Sequence, residues 1–414
     1  MFISHSTSAD ETTARLRDAI AKGLEDREHA VLLDVRRREP GRPWQLKLAR
    51  MLAQCEAALV LVNEAALGSS WVRRETNILH WRKTLRPDMV LVTVLVGEVT
   101  AGLLRASELR YLADDDVERL STCSEEDIEQ LVRMFPRGRR TGDDAMSAWL
   151  DSIGIQLQEI KHEPTYARIA RELDIPQEEH DQLIIGFAPA LLACQMLDTH
   201  DVVKLCNVVL VARDGGLQPD RVAELAKKIL PVWVDRDQAR RIVRERDGSV
   251  RRVVILNVDN PLIGEHYLDR AFCVDRRSYY IARAAGRPPG DDDPEFYLLE
   301  QCEQAVKQKI GLTPDQKLDH PREPRNFGRL FLLLDANRCD LGVVHRVIAQ
   351  LHEKIPWISV LVISGRGADV RDRWPGSPDE VLVLDPPFEA EHENVVNAVV
   401  ERVRDCVGHT YRGA

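Results

Sequence analysis

The sequence predicts an α/β chain: a doubly wound parallel sheet in its first part, and a second α/β region behind it. Three observations carry this. Short apolar runs alternate with amphipathic runs over residues 1–96. One of them, Ala57 to Val62, is continuously apolar, as a central parallel strand covered on both faces must be. The length of 414 residues exceeds what one ordinary core serves, so two or three domains are expected.

Phe2-Ile3 reads as a buried strand stub. Asp10 to Leu24 places Ala14, Leu16, Ala19, Ile20 and Leu24 at helical spacing. Ala30 to Leu33 is a second strand closed by Asp34, and a polar loop with Pro40-Gly41 follows. Trp44 to Gln54 is helical by pattern. Ser69 and Ser70 can cap the helix carrying Trp71, Glu75 and Leu79. Met89 to Val96 is β-rich. The resulting βαβαβαβ order puts a ligand cleft at the strand C-terminal ends.

Between Ala113 and Pro164 the chain turns polar and broken, which predicts a first domain over 1–130 and a linker with a short helix over 131–164. Its basic run at 137–140 reads as a solvated face before a binding patch. Residues 165–414 form the second region: helices over 166–206, strands at Val208–Val211, Val253–Val258, Leu330–Leu334, Val360–Ile363 and Val381–Leu384, and helices at Val343–Leu351 and Val395–Arg404.

The net charge of −10 argues against direct nucleic-acid binding. No CxxC pair or zinc-ligand spacing occurs among the eight cysteines, so reduced, mostly buried thiols and a cytoplasmic location are expected. No run approaches the ~18 apolar residues of a membrane span. GxxxxGK[ST], GxGxxG opening a helix, and HExxH are all absent, which disfavours a P-loop ATPase, a Rossmann dehydrogenase and a zinc peptidase.

Three segments carry a family resemblance, in order as well as content: FISHS at 2–6 with Asp10 behind it, LLDVRRREPGRPW at 32–44, and SSWVRRE at 69–75. Together they resemble the Toll/interleukin-1 receptor (TIR) domain family, over about residues 1–120. The family's Phe-Trp pair near the domain end is not evident. The resemblance implies a flavodoxin-like sheet and either of two activities, NAD⁺ cleavage or non-enzymatic scaffolding through TIR–TIR contacts. It makes Glu75 the expected catalytic residue, since the enzymatic members carry a glutamate at the matching position.

The chemistry of that expectation stands on its own terms. Breaking the nicotinamide–ribose bond passes through an oxocarbenium-like sugar. A carboxylate beside the ribose can hold its hydroxyls and stabilise the developing charge. Nicotinamide leaves a cationic ring as a neutral molecule, so no general acid is required. NAD⁺ is thus substrate, and no cofactor is expected. The product, ADP-ribose or a cyclic isomer, turns on whether water or an adenine nitrogen reaches the sugar.

Around Glu75 the expected NAD⁺-binding residues are Ser4, His5, Ser6, Asp34, Arg36, Trp44 and Trp71, each with a bland alternative. Trp71 lies one turn before Glu75 and either lines the cleft or packs in the core. Glu75 without its motif would be an exposed helix glutamate paired with Arg74 or Arg82. His5 is a cleft-lining group or a lone satisfied histidine. Asp34 orients the cleft or caps a turn. Arg36, Arg37 and Arg38 engage the pyrophosphate, a neighbouring subunit, or water.

Residues 165–414 are expected to act as a sensor, an oligomerisation platform, or both, because an NAD⁺-destroying enzyme must stay silent until triggered. A degenerate STAND-like nucleotide-binding domain and a CARF/SAVED-like cyclic-oligonucleotide sensor both suit the length. Asp214-Gly215-Gly216 and Ser364-Gly365-Arg366-Gly367, each placed after an expected strand, are turns or ligand loops. The expected partners are NAD⁺, further copies of the chain through both regions, and a nucleotide signal or partner protein, with no membrane. A role in bacterial antiphage defence follows from the resemblance alone. A third alternative is a ligand-binding protein with a vestigial TIR fold.

Overall fold

The computed structural model describes residues 1–6, 11–33, 52, 55–85, 89–114, 116–120, 124–135, 145–162, 164–175, 188–243, 253–275, 277–285, 293–318, 329–337, 339–366, 370–377, 380–386 and 390–407. They fall into two compact units, Met1–Thr199 with Asn207–Leu225, and His200–Cys206 with Ala226–Ala414.

The first unit opens with β1 (Phe2–Ser4), α1 (Glu11–Asp26), β2 (Leu32–Leu33), β3 (Ala57–Val62), α2 (Glu64–Leu67), α3 (Ser70–Leu85), β4 (Val90–Val96), α4 (Ala101–Ala106), β5 (Asp116–Leu120) and α5 (Glu125–Arg133). The strands form one parallel sheet in the order β2-β1-β3-β4-β5, the flavodoxin-like order. Alternate residues of β3 and β4, Leu59, Leu61, Val92 and Val94, bury one face against Leu16, Ile20 and Leu24 of α1 and Ile128, Leu131 and Val132 of α5. Each such side chain contributes roughly 1.5–3 kcal/mol when fully buried. Behind this sheet come α6 (Ala145–Gln158), α7 (Pro164–Glu172) and α8 (Ala188–Leu197). Both α6 and α8 pack on α3 and on each other, so the stretch expected as a linker carries a helix built into the first unit.

Two helices, α9 (Val202–Asp214) and α10 (Pro219–Ile229), have residues in both units. The second unit continues with α11 (Arg236–Val243), β6 (Val253–Leu256), α12 (Pro261–Ala271), β7 (Tyr279–Ala285), α13 (Pro294–Ile310), β8 (Arg329–Asp335), α14 (Leu341–Lys354), β9 (Ser359–Ile363), α15 (Val370–Arg373), β10 (Val381–Leu384) and α16 (Ala390–Val407). Its sheet is also parallel, ordered β10-β6-β9-β8-β7. Leu330, Leu332, Leu334, Val360 and Val362 pack against α13 and α14. On α12, Gly264 permits close approach to the sheet: a Cβ there would lie 2.8 Å from Ile363 and Leu333.

Three sequence expectations need correction. Val208–Val211 is not a strand but the interior of α9. With Val208 and Val209 fully buried and Val211 nearly so, the helix is covered on several sides, and a short apolar run does not separate a buried helix from a buried strand. Asp214-Gly215-Gly216 therefore ends a helix instead of following a strand. Gly216, at φ +90°, donates to Arg213 O, and Leu217 donates to Ala212 O, an arrangement that stops a helix. Finally, β5 and β7 went unread, and both are edge strands. No helix among the described residues is long and apolar enough to cross a membrane.

Candidate functional site

Strand β1 ends at Ser4, and its neighbour β3 leads through α2 into α3, so the head of α3 meets the C-terminal end of β1. Ser69 caps that helix, its hydroxyl accepting from Val72 N at 3.3 Å. One turn further along, Glu75 is 6% exposed, which excludes the reading of a solvated surface glutamate. Ser4 Oγ donates to Glu75 Oε2 at 2.5 Å, within the range of a charge-assisted O–H···O⁻ bond. The two cations named as alternative partners on the same helix each donate to other groups. Arg74 donates to Gln195 Oε1, and Arg82 donates to the carbonyls of Leu52 at 2.5 Å and Cys55 at 2.8 Å.

Next to Ser4, His5 and Ser6 are buried too. His5 Nε2 lies 3.2 Å from Arg17 Nη1. Burial first and the Arg17 charge second push the imidazole down to about 4. It is therefore neutral at physiological pH, with Nε2 placed to accept from Arg17, and is not an imidazolium acid. Trp71 is half-buried, and the Arg74 guanidinium sits over its ring at 4.9 Å. Asp34, Arg36 and Trp44 lie outside the described residues, as do Arg37 and Arg38. The structure thus brings Ser4 and Glu75 into contact at one edge of the first sheet, with His5 and Ser6 following Ser4 in the chain.

Sequence reasoning missed the other side of α3. Arg73 Nε donates to Asp198 Oδ2 at 2.7 Å, and Arg73 also pairs with Glu108. Asn77 Nδ2 donates to Leu197 O and to Asp198 Oδ1, both at 3.3 Å. Gln195, which receives Arg74, is itself steadied by donating to Leu173 O at 3.4 Å. Between them, Cys194 is buried with its thiol pushed up to about 12, by desolvation first, with Glu75 and Asp198 adding to it against Arg74. The available signal was the helix itself: Arg73, Arg74, Asn77 and His80 leave it without one solvent face and one apolar face.

In the second unit the loop Ser364-Gly365-Arg366 does follow a strand, β9, as expected. There the chain supplies its own anion. Glu393, 4% exposed, accepts from Asp259 N at 3.0 Å, Asn260 N at 2.9 Å and Arg366 Nε at 2.6 Å. Those two amides head α12, where a ligand's phosphate would otherwise sit. Arg366 N donates to Asp259 Oδ1 at 2.9 Å, and Gly365, at φ +81°, has Asn337 and Asp259 oxygens within 3.5 Å of where a Cβ would project. Among the described residues, no cluster of three or more His, Cys, Asp or Glu side chains is arranged to hold a metal ion.

Comparison with known proteins agrees with the first sheet. A family model described as TIR domain matches residues 1–132. No curated protein matches the chain. Members of this family act either as NAD-cleaving enzymes or as signalling adaptors, and they commonly self-associate. The match ends where α5 ends, before α6 begins. Residues 1–132 of this chain are a TIR domain.

Proposed function

We propose that the first unit cleaves the N-glycosidic bond of NAD⁺, with Glu75 as the catalytic carboxylate. The observation that supports this reading above the others is the buried Ser4–Glu75 hydrogen bond at the C-terminal edge of a parallel sheet, where doubly wound folds bind nucleotides. The C1′–N bond breaks with its electron pair going to nicotinamide, which departs neutral. The cationic sugar left behind is stabilised by the carboxylate. Water or an adenine nitrogen then bonds to C1′ and completes the transfer, water losing a proton as it does so. Ser4 orients the carboxylate, and neutral His5 lines the site without moving a proton. The second unit gates this activity, through a bound signal or through assembly, and the setting is antiphage defence.

The experiment is nicotinamide release from NAD⁺ by the purified full chain, over a range of protein concentrations and with candidate nucleotides added. Release that rises with concentration or with a nucleotide, and vanishes in Glu75→Gln, is the expected result. Release undiminished in Glu75→Gln rules out the mechanism. No release under any condition, with TIR–TIR association retained, makes the chain an adaptor.

A further inference from the structure

The surface that holds the Glu75 helix from behind lies outside the TIR match. Asp198 follows α8 directly, and its side chain is 4% exposed. Across from it are Arg73 and Asn77, one helical turn apart on α3, both donating to this single carboxylate. Arg74 reaches the neighbouring Gln195, and both of those residues are buried. Three polar contacts within roughly one and a half turns, all from one side, oppose rotation of the helix about its axis, because the buried Arg74, Asn77, Gln195 and Asp198 side chains have little water to fall back on.

Rotation is what matters for Glu75. Successive residues are 100° apart around a helix, so Glu75 points toward Ser4 only while Arg73 and Arg74 point toward α8. With a carboxylate roughly 6 Å from the axis, a turn of about 20° moves it about 2 Å. A displacement of about 1 Å already costs about 100-fold in rate when reacting groups must be aligned.

We propose that Asp198 and Gln195 are positioning residues for Glu75, acting through Arg73, Arg74 and Asn77, so that the catalytic unit extends past the family match to residue 199. This rests on the reading of Glu75 as the catalytic carboxylate. The chain passes into the second unit at His200, two residues after Asp198.

The test compares Asp198→Ala and Asp198→Asn in the full chain. Asn keeps an acceptor for Asn77 and Arg73, and Ala keeps none. Expected in Asp198→Ala is a fall in kcat of about 10-fold or more, with KM within about 2-fold of wild type. Amide exchange should quicken in residues 70–85 while the β3 and β4 amides stay protected, and Asp198→Asn should restore most of kcat. Unchanged kcat in Asp198→Ala overturns the proposal. So does an equal loss in both variants that tracks a fall in Tm, since that marks a role in folding alone. If the wild-type chain releases no nicotinamide, the NAD⁺ reading fails separately. The exchange data then decide the grip: faster exchange confined to residues 70–85 upholds it, and unchanged exchange refutes it.

Discussion

The two parallel sheets of this chain each set a buried glutamate at the C-terminal ends of their strands, and different groups donate to the two. Glu393 is locked by a guanidinium and two backbone amides, all full donors to the ionised form. Glu75 is met by the hydroxyl of Ser4, an uncharged group. The first arrangement neutralises its carboxylate and closes a helix terminus that a phosphate would otherwise attract. Under the proposed function, the second carboxylate serves the positive charge that develops on an oxocarbenium-like sugar. Position in a fold therefore does not assign a role. The donors around the carboxylate do.

Exchanging each glutamate breaks this comparison most sharply. Glu75→Gln should lower nicotinamide release by about 100-fold or more while leaving Tm nearly unchanged, because an amide still accepts from Ser4. Glu393→Ala should do the reverse to stability. It strands the amides of Asp259 and Asn260 and the Arg366 charge, at a cost of roughly 2–4 kcal/mol, readable as a lower urea midpoint for the second unit. If Glu393→Ala leaves that midpoint in place, the locked description of this carboxylate is wrong. A smaller effect is expected from Ser4→Ala, about 3–10-fold in kcat from a carboxylate no longer oriented, with KM little altered.

The subtlest effect is one of pH. His5 titrates at about 4 in the folded chain and near 6.5 when unfolded, so the unfolded chain binds more protons between those values. The contribution is fully present above about pH 6.5 and is lost as pH falls toward 4, amounting to at most about 3 kcal/mol. Comparing Tm against pH for wild type and His5→Gln isolates it: the difference between the two should change across that window and nowhere else. A His5 ring that titrates near 6.5 by NMR would contradict the burial argument.

How much of this was legible beforehand follows physical lines. The central strands β3 and β4 are apolar on both faces and were plain in the sequence. Edge strands are paired and covered on fewer sides, so Asp116-Val117-Glu118-Arg119-Leu120 and the Arg283-interrupted β7 carry mixed residues and show no strand pattern. Helix α9 failed for the opposite reason, being too apolar to show a period. For the site, the Ser4–Glu75 contact joins two of the segments that carry the family resemblance. Gln195 and Asp198 were not legible, because a partner more than 100 residues away leaves no local pattern.

The most direct test of the central claim separates binding from turnover in Glu75→Gln. If this carboxylate acts on the developing charge at C1′, the variant should bind NAD⁺ within about 3-fold of wild type by calorimetry while nicotinamide release collapses, since the interaction is strongest in the transition state. Affinity and release falling together, or release persisting, would contradict it.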